Sequence, residues 1–182
     1  MIKLSRRTVA TAAAVLAVGA GSAMWAATSA SAAPAKAAAQ TSIIARCTPG
    51  QLAVWVNADS ADGTAGMTNY HLDFTNTSGG MCHLYSWPGV SATNSAGGQL
   101  GVPAIRNPNV PATYVNIPAG GTAHALLGYV DVQVTPACKP TAATFLKVYP
   151  PDTTGARHAY FPLKVCTNGT YDLMIGRMQP GT

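Results

Sequence analysis

Residues 70–74 read Tyr70-His71-Leu72-Asp73-Phe74, a stretch in which aromatic or aliphatic side chains alternate with polar ones. Successive side chains of a β-strand point to opposite faces, so this pattern predicts a strand with its apolar residues toward a core and its polar residues away from it. One face of the strand is therefore expected to be buried and the other to meet solvent, as in an antiparallel sheet.

Two hairpins are predicted around such stretches. Residues 52–56 alternate like residues 70–74, and the segment 58–63 between them, Ala-Asp-Ser-Ala-Asp-Gly, has the composition of a turn. Further along, residues 146–148 and 161–165 flank a turn-rich segment with two prolines and a glycine. Each pair of stretches is expected to form antiparallel neighbours in a sheet.

The composition of the chain favours short strands joined by turns. It contains 13 Pro, 18 Gly and no Glu, which opposes long helices. Further strands are predicted at residues 90–93, 100–105, 114–117, 123–134 and 171–178. About eight or nine short antiparallel strands predict an all-β domain, an immunoglobulin-like β-sandwich, with a jelly roll as the alternative and no helix longer than one turn.

The N-terminus has the features of an export signal. Three basic residues lie within positions 1–7, an apolar run follows to about residue 27, and Ala30-Ser31-Ala32 matches the A-x-A cleavage pattern. The alternative is a retained membrane helix, but the run is only weakly hydrophobic and the cleavage site follows directly, so no stable membrane span is expected after cleavage. The pair Arg6-Arg7 leaves the choice between general secretory and twin-arginine export open.

This interpretation divides the chain into three parts. They are a signal peptide over residues 1–32, a flexible Ala-rich spacer over 33–45 and one disulfide-bonded β-sandwich domain over 46–182. The formal net charge of +5 belongs largely to the leader, and the remainder carries eight scattered basic residues against six aspartates. Nucleic-acid binding requires a basic stripe or cluster, so this class of function is excluded.

Four cysteines follow the leader: Cys47, Cys82, Cys138 and Cys166. An exported protein meets an oxidising environment, where four cysteines form two disulfides, and the chain has no C-x-x-C knuckle typical of zinc sites. Cys47 and Cys82 flank the first predicted hairpin, and Cys138 and Cys166 flank the second. The predicted pairs are therefore Cys47–Cys82 and Cys138–Cys166.

Several motifs together resemble a known family. They are the segments 70–76, 82–90 and 117–123, then Cys138-Lys139-Pro140 and the near-terminal Cys166, and the pattern Cys-x-Leu-x-x-x-Pro-Gly in the second segment is the most specific. In order and spacing they resemble the secreted actinobacterial family called domain of unknown function forty-two thirty-two. The resemblance implies an exported, disulfide-bonded β-sandwich, and it brings no activity, cofactor or catalytic residue. Some members are fused to lipid or membrane anchors, but this sequence has no lipid-attachment cysteine, which favours release.

His71 and Asp73 share one face of their strand because they are two residues apart. They are interpretable as a His–carboxylate pair that serves as a base or metal ligand, or as part of a polar outer face with Asn69 and Thr75. No third partner is identifiable in the sequence, so we interpret them as an outer polar face.

A soft-metal site for copper is the other metal alternative. Met81-Cys82-His83, with Met67 and His71 nearby in sequence, has ligands that copper prefers. Cys82 is assigned to a disulfide, however, and the methionines are expected to fill or border the core. We therefore expect no metal and no cofactor.

The sequence shows no motif for catalysis. Its serines lack a G-x-S-x-G elbow, every cysteine is assigned to a disulfide, and the six aspartates are spread over turns and different strands. We expect no catalytic residue and no enzymatic activity.

Outward-facing aromatic residues are the candidate binding surface. The alternation predicts that Trp55, Tyr129, Phe145, Tyr149 and Tyr160 point away from the core. Such residues form platforms for sugars or proteins, unless loops cover them or the facing assignment is wrong by one residue. The expected function is a secreted, extracellular or cell-wall-associated binding module for a cell-wall glycan or another envelope protein. The alternatives are a structural envelope protein without a discrete ligand and an unrecognised hydrolase.

Overall fold

The computed structural model describes residues 43–106 and 109–181. The predicted leader, and the spacer up to residue 42, lie outside the described residues. Ile44 and Ala45, at the end of the predicted spacer, are hydrogen-bonded to His83. No helix in the described part of the chain has the length and apolar character of a membrane span.

The described chain is an all-β sandwich with eleven strands and two three-residue 3-10 turns. The strands are β1 (Leu52–Thr64), β2 (Met67–Asn76), β3 (Cys82–Tyr85), β4 (Gly89–Thr93), β5 (Gln99–Leu100), β6 (Ile105–Arg106), β7 (Tyr114–Ile117), β8 (Thr122–Val130), β9 (Pro140–Tyr149), β10 (Arg157–Cys166) and β11 (Leu173–Pro180). Nine of them have four residues or more, which confirms the predicted fold class. β3 lies outside the predicted strands, and the single strand predicted at residues 100–105 is instead the two short strands β5 and β6.

The strands form three sheets. A five-stranded sheet has the order β1-β2-β8-β11-β6, a four-stranded sheet has the order β10-β9-β4-β5, and β3 pairs with β7. Neighbouring strands are antiparallel except β11 and β6, which are parallel. Both predicted hairpins are present as β1–β2 and β9–β10.

The core lies between the sheets and takes one face of each long strand. Its largest fully buried side chains include Leu72 and Phe74 of β2, Leu127 of β8 and Leu146 of β9. The alternation in residues 70–74 thus has the predicted orientation, because Leu72 and Phe74 are inside while His71 points to the opposite face. The large buried apolar area drives the sheets together.

The segment predicted as the first turn is instead an irregular part of β1. The strand continues to Thr64, the register with β2 shifts between Asn57 and Asp62, and the chain reverses at Gly66, where φ is +85°. The Ser60 hydroxyl donates to the carbonyl of Asn57 and accepts from the N–H of His71 at 2.7 Å. Polar residues with turn propensity therefore form a β-bulge here, because Ser60 satisfies backbone groups that the ladder leaves unpaired.

Both predicted disulfides are confirmed. Cys47 is bonded to Cys82 and Cys138 to Cys166, with Cα–Cα distances of 4.9 and 5.1 Å. The first links the segment before β1 to β3 and is fully buried, while the second links the start of β9 to the end of β10 at the rim of the sandwich. Two disulfides fit an oxidising compartment.

Asn76 is a buried polar link at the end of β2. Its side-chain amide donates to the carbonyls of Gly80, Ile117 and Pro118 at 2.7, 3.0 and 3.2 Å. Its side-chain oxygen accepts from the N–H and the hydroxyl of Ser78. Asn76 is 0% exposed, so water does not reach its side chain. The amide takes the place of water as the hydrogen-bond donor to carbonyl groups that the strands leave unpaired.

Asp172 lies buried beside the second disulfide. Its Oδ2 accepts a hydrogen bond from the N–H of Cys166 at 2.5 Å, and its Oδ1 has no hydrogen-bond partner among the described residues. Burial raises the pKa of Asp172, and the hydrogen bond from Cys166 opposes that shift.

We expect Asp172 to make the free energy of unfolding fall as the pH rises from about 4 through the raised pKa of this carboxyl. Over that interval the folded state keeps a proton that the unfolded state has lost, and above it the contribution is constant. Asp172→Asn keeps an oxygen to accept from Cys166 but does not titrate. Urea unfolding of both proteins over a pH series measures the difference, and identical pH dependence would contradict the assignment.

Candidate functional site

The outer face of the five-stranded sheet carries a group of titratable side chains. Trp55 of β1, Asp73 of β2 and His124 of β8 follow one another across the sheet as directly paired residues. His71 lies two residues before Asp73 on the same face. The sheet thus places two imidazoles and one carboxylate side by side on adjacent strands.

His71, Asp73 and His124 are called here the His–Asp cluster. One ligand atom from each residue lies within 4.8 Å of the others. The two imidazole rings are stacked, with centroids 4.1 Å apart and planes inclined by 13°. Asp73 is only 6% exposed.

Burial and mutual charge set the protonation of the cluster. Burial raises the pKa of Asp73, and the neighbouring histidines and the side chain of Asn57 oppose that shift. Burial lowers the pKa of His124, His71 lowers it further, and Asp73 opposes this. Both shifts favour the neutral forms of Asp73 and His124.

No third partner for His71 and Asp73 is identifiable in the sequence, but the structure places one beside them. His124 is that partner, and it is 51 residues beyond Asp73 in the chain. In the structure His124 points away from the core, opposite to the buried Ala123 and Ala125. The sequence contains no signal that β8 pairs with β2, and that pairing is what forms the cluster.

A cavity of about 480 Å³ opens beside the cluster. It is lined by Met67, Asn69, Ile105, Arg106, Leu126, Gly128, Met174, Ile175 and Gly176. Leu126 and Asn69 are each two residues from a member of the His–Asp cluster, on β8 and β2 respectively, so the cavity and the cluster are neighbours.

Two glycines provide the space in this cavity. A Cβ atom at Gly128 would lie 2.9 Å from Cε of Met67 and 3.3 Å from Oδ1 of Asn69. A Cβ atom at Gly176 would lie 3.4 Å from Leu126, at the limit of ordinary contact. Side chains at either position would occupy the cavity. Sequence reasoning missed it, because its walls come from strands whose adjacency the sequence does not reveal.

The structure divides the predicted aromatic surface between two sheets. Trp55 is 45% exposed on the outer face of the five-stranded sheet, and its indole N–H donates to Thr75 at 3.5 Å. The outward assignment of Tyr129 is wrong. Its ring packs against the core, and its hydroxyl donates to the carbonyl of Lys164 on β10, which belongs to the other sheet.

The other three predicted aromatics lie together on the four-stranded sheet. Phe145 is paired with Tyr160, which is 68% exposed, and their ring centroids are 5.8 Å apart. Tyr149 lies on β9 with the ammonium of Lys147 5.4 Å from its ring centroid. A platform role for these side chains stays a prediction.

A further aromatic group, which the sequence did not indicate, lies on the β3–β7 pair. The centroid of the Tyr114 ring is 4.4 Å from that of Tyr85 and 5.2 Å from that of His83. This position separates His83 from His71, because they belong to different sheets. Met81 is 50% exposed and Met67 lines the cavity, so the copper ligands considered from the sequence do not form one group.

Residues 47–178 match the family model described as Domain of unknown function (DUF4232). The chain belongs to this family. The match confirms the resemblance carried by the cysteine and Pro-Gly motifs, and it spans the sandwich from the first disulfide cysteine into β11. No curated protein and no solved structure matches the chain. Function is therefore argued from the His–Asp cluster and the adjacent cavity.

Proposed function

We propose that this chain is an exported, non-enzymatic binding module that holds its ligand in the cavity on the outer face of the five-stranded sheet. The cavity itself carries the proposal. Its volume of about 480 Å³ lies in the range of small-molecule sites, and its wall is mainly apolar. The leader and the two disulfides support a place outside the cytoplasm.

The chemistry of the wall indicates the class of ligand. Ile105, Leu126 and Met174 offer apolar contact, and Arg106 places a guanidinium at the same cavity. The one ion pair among the described residues joins Arg46 to Asp152, so Arg106 has no acidic partner there. An apolar group that carries a negative charge suits this combination. A cell-wall glycan or an envelope protein would bind by inserting such a group into the cavity.

The composition of the wall also supports binding rather than turnover. None of the nine lining residues is a Ser, Cys, His, Asp or Glu, so the cavity offers no nucleophile and no general acid or base. The His–Asp cluster lies beside the cavity and is not part of its wall.

A pair of fluorescent probes tests the cavity. We expect 1-anilinonaphthalene-8-sulfonate, an apolar anion, to bind the folded chain saturably. Gly176→Val is expected to weaken binding by about tenfold or more, because the new side chain occupies the cavity. Arg106→Gln is expected to weaken binding of the sulfonate probe but not binding of its neutral analogue N-phenyl-1-naphthylamine.

Gly79→Val is the matched control, since a Cβ atom at Gly79 meets nothing within 4 Å. This variant should leave the binding of both probes unchanged. Cooperative thermal unfolding shows that each variant is folded. Absence of saturable binding to the native chain, or equal weakening by Gly79→Val, would favour the structural envelope protein.

For export, intact mass of the product released by the producing cells should show cleavage after Ala32. A product starting at Met1 would contradict that part of the proposal.

A further inference from the structure

The His–Asp cluster has the donor set of a transition-metal site. Zinc and copper ions of charge +2 bind imidazole nitrogen and carboxylate oxygen, with bonds of about 2.0–2.2 Å to zinc. Donor atoms around one such ion lie about 3.3 Å apart. The donors of His71, Asp73 and His124 lie within 4.8 Å of one another, so binding one ion requires them to approach by about 1.5 Å at most.

The backbone beneath the cluster is held on both sides. β2 pairs with β1 and β8, and β8 pairs with β2 and β11. Asp73 is directly opposite His124 in this ladder, and His71 is the next outward residue of β2. A metal site built on interior strands keeps its geometry better than one built on loops.

The charge of Asp73 is the second observation. This carboxyl group is only 6% exposed, its polar neighbours are His71, His124 and the side chain of Asn57, and no Lys or Arg of the described residues forms an ion pair with it. A buried carboxylate is costly to the fold unless positive charge or hydrogen bonds compensate it. A cation held between the three side chains would supply that charge.

The stacked imidazoles favour the same conclusion. Their ring centroids are 4.1 Å apart and their planes are inclined by 13°, so the two imidazoles lie side by side next to Asp73. His83 differs, because its Nδ1 already lies 2.9 Å from the carbonyl of Ile44.

We propose that His71, Asp73 and His124 together bind one divalent transition-metal ion of the zinc and copper class on the outer face of the five-stranded sheet. The proposal goes beyond the binding function proposed above and does not depend on what occupies the cavity. Three protein ligands leave coordination positions open for water. The competing arrangement is a metal-free polar cluster, which the experiment distinguishes.

Trp55 provides a local reporter for the experiment, since it is the residue paired with Asp73. We expect CuSO₄ to quench the fluorescence of the untagged full chain saturably, and ZnCl₂ to compete for the site in calorimetry with one ion per chain. MgCl₂ should do neither, because magnesium prefers oxygen ligands. In Trp55→Phe, calorimetry should still detect the metal while most of the quenching is lost.

Variants of the cluster decide the outcome. Asp73→Asn, His71→Asn and His124→Asn should each weaken binding at least about tenfold while unfolding cooperatively without metal. His158→Asn is the matched control, since His158 is exposed on the four-stranded sheet. Gly176→Val should also bind metal normally, which separates this site from the cavity. Failure of the native chain to bind, or equal weakening by His158→Asn, would overturn the proposal.

Discussion

Asn76→Asp is expected to lower the free energy of unfolding by about 3–5 kcal/mol at neutral pH. The change replaces the amide that donates to the carbonyls of Gly80, Ile117 and Pro118 with an oxygen that cannot donate. A carboxylate would then face three carbonyl oxygens at a fully buried position. Urea unfolding followed by circular dichroism measures the loss.

Asn94→Asp is a matched control for this prediction. Asn94 uses only its side-chain oxygen, which accepts from the N–H groups of Ala96 and Gly98 at 3.0 and 2.8 Å. A carboxylate retains that role, so we expect a change within about 0.5 kcal/mol. The Asn76→Asp loss should also shrink as the pH falls, because a protonated carboxyl regains one donor and burial makes the folded state hold that proton. Equal effects at the two positions would contradict the assignment of Asn76 as a buried donor.

Removal of the Cys47–Cys82 disulfide is the second large effect that we expect. The double variant Cys47→Ala/Cys82→Ala should lose about 4 kcal/mol, because the disulfide closes a loop of 35 residues and so lowers the entropy of the unfolded chain, which the variant regains. Both cysteines belong to the buried core, so the loss of packing adds to this cost. Chemical unfolding measures it.

The second disulfide provides the comparison. It spans 28 residues, so the entropy of the unfolded chain predicts nearly the same stabilisation for both bonds. Cys138 is only half-buried, however, and the double variant Cys138→Ala/Cys166→Ala should lose less through packing. If the Cys138→Ala/Cys166→Ala variant is the less stable of the two, then burial of Cys47 and Cys82 does not determine which disulfide contributes more to stability.

The sequence predicts the parts of the fold that depend on neighbouring residues. The alternation at residues 70–74, both hairpins and both disulfides follow from local patterns and from cysteines that flank those hairpins. The bulge between Asn57 and Asp62 does not, because turn and bulge use the same polar residues. The register shift in β1 and the hydrogen bond from the N–H of His71 to Ser60 show which of the two forms.

The candidate site depends on contacts that the sequence does not encode locally. Leu126 and Leu127 are adjacent apolar residues, so the pattern alone does not tell which face of β8 is buried. Leu127 is fully buried and Leu126 is 39% exposed, which turns Tyr129 inward and His124 outward. A slip of one residue reverses every side chain of a strand, and this explains the wrong assignment of Tyr129.

The bulge in β1 also affects how the molecule behaves among its own copies. β1 is the outermost strand of the five-stranded sheet, and an outermost strand offers unpaired backbone groups to a second chain. The shift between Asn57 and Asp62 interrupts the regular ladder, and Asp59 and Asp62 are exposed there. A kinked edge with two acidic residues is a poor template for sheet extension. The longest strand of the fold is thereby protected against edge-to-edge aggregation.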